Sequence, residues 1–174
     1  MSAFPDWQKY AVIQRRPETG CIPTGYEMIL RAADAQGIDF ATFQDDFDLE
    51  KDRPPDAPRV NHFGSVAEAV KAKYPSVVFA YRSFAKGKGI EKLAFIEQQI
   101  ASCRPVLVSL ALAPFGCGGW HIVPVVDTED DTLVLLWSVS PTGEYELKSL
   151  PKAELVCIHD NYPGGEEVAF LERC

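Results

Sequence analysis

The chain has 174 residues, 47% hydrophobic and 24% charged, which is enough apolar material for one folded unit with its own core. Its formal net charge of −8 argues against general nucleic-acid binding, which needs a basic footprint, and no apolar run approaches the ~18 residues of a membrane span. The first residues show no apolar signal-peptide core, and five irregularly spaced cysteines without a CxxC pair read as reduced thiols. A cytoplasmic protein is therefore expected, with no structural zinc, redox dithiol or other cofactor; oligomeric state is not legible.

Residues 5–13 read as a short amphipathic opening with Trp7, Tyr10, Ala11 and Ile13 as its apolar members. After a polar loop over 15–20, Ile22, Tyr26, Ile29, Leu30 and Ala33 recur at helical spacing. Pro23 suits a first turn, where its missing N–H costs nothing, and Gly37 is the expected stop. Residues 44–62 hold Asp45, Asp46, Asp48, Glu50 and Asp52, then Pro54, Pro55 and Pro58. They read as a long polar flap outside the core, whose acidity hints at basic or extended substrates; the EF-hand spacing is missing.

Ser65 with Glu68 reads as a capping box that opens a short helix to Tyr74. A short apolar strand follows over 77–81, and then a basic turn over 82–89 that lacks the phosphate-loop spacing. A helix over 90–101 carries Leu93, Ile96 and Ile100 on one side. From Arg104 the pattern changes to short apolar stretches over 105–112, 120–126, 132–139, 145–147 and 155–159, with turn signals at 127–131 and 141–143. Helices first and sheet second predicts an α+β fold, an N-terminal helical lobe packed on a C-terminal antiparallel sheet, in a single domain over 1–174.

Two stretches carry chemistry. Cys21 opens the first predicted helix, where the partial positive charge of the helix N-terminus favours a thiolate. His121 follows two glycines at the start of an apolar strand and is placed to act as base during attack and as acid for a leaving amine. Gln14, seven residues before Cys21, is the candidate oxyanion donor together with the Cys21 backbone N–H. The predicted hairpin puts Ser138 opposite His121, with Trp137 or Ser140 as the neighbouring choices for the group that orients the ring. The usual Asn or Asp is absent there, and Asp127 sits too far along the strand. His62, His159 and Cys117 have no metal-ligand spacing, and His159 with Asp160 reads as a surface pair at a strand end.

Cysteine on a helix and histidine on a later strand is the chain order of papain-like thiol enzymes. The Gln14, then Cys21-Ile22-Pro23-Thr24 and helix stretch, the segment from Ile100 to Ser109, Gly118-Gly119-Trp120-His121-Ile122-Val123 and the stretch from Leu150 to Ile158 resemble the peptidase C39-like branch of that superfamily. The resemblance implies a papain-like fold with a closing helix-then-strand. It implies thiol hydrolysis of a peptide, isopeptide or amide bond in a peptide or protein substrate, with Cys21 as nucleophile, His121 as base and Gln14 as oxyanion donor. The chain departs from the pattern in its longer Gln-to-Cys spacing, in Ile22 after the cysteine, and in having no carboxylate or amide over 137–141. The alternatives are a binding or regulatory module on the same fold, or an acyltransferase using the same Cys–His pair.

Overall fold

The computed structural model describes residues 3–54, 56–138 and 144–174. Its helices are α1 (Cys21–Ala32), α2 (Phe43–Phe47), α3 (Phe63–Lys73), α4 (Gly89–Ala101) and α5 (Lys152–Asn161). Its strands are β1 (Val78–Ser83), β2 (Val106–Ala111), β3 (Trp120–Thr128), β4 (Thr132–Ser138), β5 (Tyr145–Pro151) and β6 (Glu167–Arg173). The six strands form one antiparallel sheet in the order β1-β6-β2-β3-β4-β5. This is an α+β architecture with helices on both faces.

The alternation of side chains along each strand builds two cores. Leu107, Ile122, Val126, Val134 and Leu136 face α1, α2 and α3, and meet Tyr26, Ile29, Phe43, Phe63 and Val70. Val106, Val108, Leu110, Val123, Val125, Leu133 and Leu135 face the other way, against Ile96 and Ile100 of α4 and Leu155 and Ile158 of α5. The helical lobe therefore covers only one face. α1 lies close on the sheet because Gly25 has no side chain: a Cβ there would stand 2.7 Å from Leu107 Cδ1. Tyr26 locks the same helix down, its ring 3.8 Å from that of Phe79 and its hydroxyl donating to the Phe63 carbonyl at 2.9 Å.

Several expectations are corrected. Residues 155–159 are helical within α5: Leu155, Ile158 and His159 are buried at helical spacing, whereas a strand would bury alternate positions. The last segment of the resemblance accordingly runs strand, helix, strand, and β6 enters the sheet between β1 and β2. α1 ends before Gly37, at Ala32, with Asp34 at φ 51 turning the chain. α3 starts at Phe63, so Ser65 is its third residue and reaches back to accept the His62 N–H at 3.0 Å. Ile13, expected on an apolar face, is exposed.

The largest correction concerns 44–62, which is anchored in the core. Phe43 and Phe47 of α2 are buried, and so are Gln44, Asp48 and Glu50. Burial of these polar groups is tolerated because each has partners. Gln44 accepts from the Arg15 N–H and the Thr24 hydroxyl, and donates to the Ile13 carbonyl and to Glu27.

Candidate active site

Cys21 is the first residue of α1, with Gly20 as its cap, and lies partly buried on the floor of a pocket of about 340 Å³. The pocket is walled by Glu18, Thr19, Glu50, Arg59 and Asn61 on one side and Gly118, Gly119 and Trp120 on the other. Burial pushes the thiol up to about 11, with the charge of Asp48 adding to the push. The backbone N–H groups of Ile22, Ile122 and Cys21 itself, all directed at the sulfur, pull the other way. On its own the sulfur is a protonated thiol at neutral pH, surrounded by donors that would receive an anion.

The Ile122 contact sets the geometry of the site. Among the described residues the β3–β4 ladder ends at Val125–Leu135, so residues 122–124 pair with β2 alone. The N–H of Ile122, the residue that follows His121, lies near enough to the sulfur to favour its anion. The sulfur thus lies beside the peptide that joins His121 to Ile122. The pleat sends His121 to the side of Leu110 and Val123, its cross-strand and same-face neighbours, while Ile122 faces α1. Thiol and imidazole flank that peptide, and no hydrogen bond joins them among the described residues.

His121 is half-buried, and burial holds its pKa below the ordinary value, favouring the neutral base. Trp137 presents to it edge-on, with ring centroids 6.2 Å apart at 75°. Trp137 is itself flanked by Phe115 at 5.3 Å and by the Lys148 ammonium at 4.3 Å. Trp137 was one of the two neighbouring choices around Ser138; Ser140 lies outside the described residues, as does the turn at 141–143. The observed register sets Val125 against Leu135 where the predicted hairpin sets it against Val134: the turn lies later than expected, pairing Thr128 with Leu133, a shift of two, and the bulge in β3 between Val125 and Asp127 takes one back. Ser138, expected opposite His121, pairs with Tyr145 of β5, and no β4 partner of His121 lies among the described residues.

Gln14 is directed into its own loop. Its amide donates to the carbonyls of Arg16 at 2.8 Å and Pro17 at 3.0 Å, and it is not part of the pocket lining. The other histidines have structural places. His62 caps α3. His159, read above as a surface residue, is buried, with Nε2 2.9 Å from the Ala85 carbonyl and Nδ1 3.3 Å from the Gly165 carbonyl.

Sequence reasoning missed one wall of the pocket. Asp48 accepts from the Thr19 hydroxyl at 2.6 Å and the Asn61 amide at 2.8 Å, and Glu50 accepts the N–H groups of Val60 and Asn61. These bonds tie 48–61 to the loop before Cys21. No spacing rule links residues thirteen apart in a loop, and the only available signal was the company of Arg53 and Arg59 with Glu50.

No helix among the described residues is long and apolar enough to cross a membrane. Comparison with protein-family models and with curated proteins gives no match. Among solved structures, one described as a "putative C39-like peptidase from Bacillus anthracis" superposes with a TM-score of 0.57 over 92% of this chain and 94% of that one, at 14% identity. The chain thus shares the fold of that C39-like peptidase structure, the branch which its cysteine and histidine stretches resemble.

Proposed function

We propose that the chain is a cysteine hydrolase of papain-like fold, a single domain over its whole length, cleaving a peptide, isopeptide or amide bond through an acyl-thioenzyme. The observation that carries this reading is Cys21 at the N-terminus of α1, lining an open pocket, with the backbone of Ile122, the residue after His121, beside its sulfur. A carbonyl entering the pocket is attacked by Cys21 as His121, kept neutral by burial, takes the thiol proton. The same imidazole then hands that proton to the leaving amine, and water, activated in turn by the ring, releases the acyl group. The Cys21 N–H, at the open end of α1, is the oxyanion donor that needs no rearrangement, whereas Gln14 joins it only by releasing the Arg16 and Pro17 carbonyls. Ser138, next to Trp137 at the end of β4, is assigned to steady the ring together with that indole. Five free thiols, four of them exposed, support a reducing, cytoplasmic setting, and the pocket's width supports a peptide or protein substrate.

The test is labelling by a thiol-directed electrophile with peptide mapping. Labelling is expected at Cys21 and lost in Cys21→Ala with the circular dichroism unchanged. Labelling that persists in that variant, or maps to Cys117 or Cys103, overturns the reading. One observation favours the second reading, a binding or regulatory module: the ring of His121 meets only an aromatic edge, and burial keeps the thiol protonated. An unreactive Cys21 in a correctly folded chain is its signature.

A further inference from the structure

Four acidic residues of the stretch at 44–62, Asp45, Asp46, Asp48 and Glu50, are engaged by the protein's own groups. Asp45 is taken by Arg15 and Arg16, Asp46 by Lys73, and Asp48 is buried among Thr19, Asn61 and Arg16. At these positions the hint of a basic substrate loses its basis.

Glu50 inverts it. Its Oε1 accepts the N–H groups of Val60 at 2.8 Å and Asn61 at 3.0 Å, and its Oε2 faces two guanidinium groups, Arg53 Nε at 3.2 Å and Arg59 Nη1 at 2.8 Å. Burial alone would raise the carboxyl, but the N–H groups of Asn61 and Val60 and the Arg59 guanidinium hold it at about 2. One permanent carboxylate thus serves two permanent cations, leaving one positive charge in surplus. Arg53 turns its Nη1 inward, onto the carbonyls of Pro54 and Ala57. Arg59 does not: its side chain is 50% exposed, it lines the Cys21 pocket, and among the described residues its Nε and Nη2 meet no protein acceptor. Facing it across the pocket are Gly118 and Gly119, with open space where a Cβ would be, and the indole of Trp120, 55% exposed.

We infer that this pocket selects a substrate bearing a carboxylate, held by the free edge of Arg59 while an apolar neighbour lies against Trp120. The fork of an arginine fixed by one carboxylate is pre-oriented for a second, since its planar N–H donors suit bidentate pairing. Glu18 also lines the pocket and opposes an anion, so its removal strengthens the preference. The catalytic consequence rests on the thiol-hydrolase reading; the binding does not.

Alkylation of Cys21 by iodoacetate and by iodoacetamide, followed by mass spectrometry, separates the two. The reagents differ only in a carboxylate, and the ratio of their rates cancels the intrinsic reactivity of the thiol. The ratio should fall about 3- to 5-fold in Arg59→Gln, the size expected of a half-exposed ion pair, recover partly in Arg59→Lys, rise in Glu18→Gln and decline with salt. An unchanged ratio in Arg59→Gln overturns the inference. Failure of both reagents counts against the thiol reading alone, and the inference is then decided by titrating the Trp120 indole N–H in NMR spectra. An Arg59-dependent response to N-acetylphenylalanine supports selection of a chain terminus. The same response to N-acetylglutamyl amide supports an acidic side chain. Equal responses to these and to neutral N-acetylphenylalaninamide overturn it.

Discussion

His121 and His159 belong to the same side of the sheet, and their surroundings differ in kind. His159 has a carbonyl oxygen at each ring nitrogen, and the ammonium of Lys92, itself buried, shares the Gly165 carbonyl with it while also donating to Ser109 at 2.9 Å. His121 has an indole edge and no hydrogen bond among the described residues. Interior polar groups are ordinarily satisfied, because an unpaired one costs about 1–3 kcal/mol. The first histidine therefore reads as a strut and the second as a group kept available. The Lys92–His159 node straps the loop before β6 to β2.

That contrast can be broken most sharply by exchanging the two losses. His121→Ala should slow Cys21 alkylation by about 10²–10⁴ near neutral pH and leave the urea midpoint nearly unchanged. His159→Ala should do the reverse, costing about 1–3 kcal/mol in urea unfolding as the Ala85 carbonyl loses its imidazole partner, with Cys21 reactivity retained in the folded protein. If His121→Ala is the more destabilising of the two, the roles are misassigned.

A smaller effect sharpens the strut. Burial lowers Lys92 to about 7, partly offset by the charge of Glu166, so between about 7 and the ordinary 10.5 the folded chain has lost a proton that the unfolded chain keeps. Unfolding takes up that proton, and stability should rise with pH across this window, by at most about 1.4 kcal/mol per pH unit from this one group. In Lys92→Met the slope should flatten. Urea unfolding at several pH values between 7 and 10 measures it, and an equal slope in both proteins means that Lys92 is charged in the fold.

The parts of this molecule that were legible beforehand are those where local pattern and tertiary role coincide. The spacing of Ile22, Tyr26, Ile29 and Leu30 gave α1, and the apolar stretches after Arg104 gave β2, β3 and β4. Cys21 and His121 stood out because a helix start and a glycine-flanked strand are local signals. α5 misled because Val156 and Ile158 favour strands, while its buried set of Leu155, Ile158 and His159 is helical. β6 was hidden because its partners, β1 and β2, lie far away in sequence. The acidic stretch looked solvated because its neutralising arginines act across loops: Arg15 and Arg16 on Asp45, Arg59 on Glu50. The register along β3 moved because the turn falls later than the expected centre at Glu129 and Asp130, in an acidic run any residue of which could centre it, and a bulge takes back only one of the two residues of shift.

The most direct measurement is the pH dependence of Cys21 alkylation in the wild-type chain and in His121→Ala. If the imidazole serves the sulfur, the wild-type rate should hold a reactive plateau below pH 8 that vanishes in His121→Ala, leaving only an alkaline rise as the buried thiol ionises near 11. A single alkaline rise in both proteins would mean that the histidine does nothing for the sulfur, and the pair would not be a catalytic one.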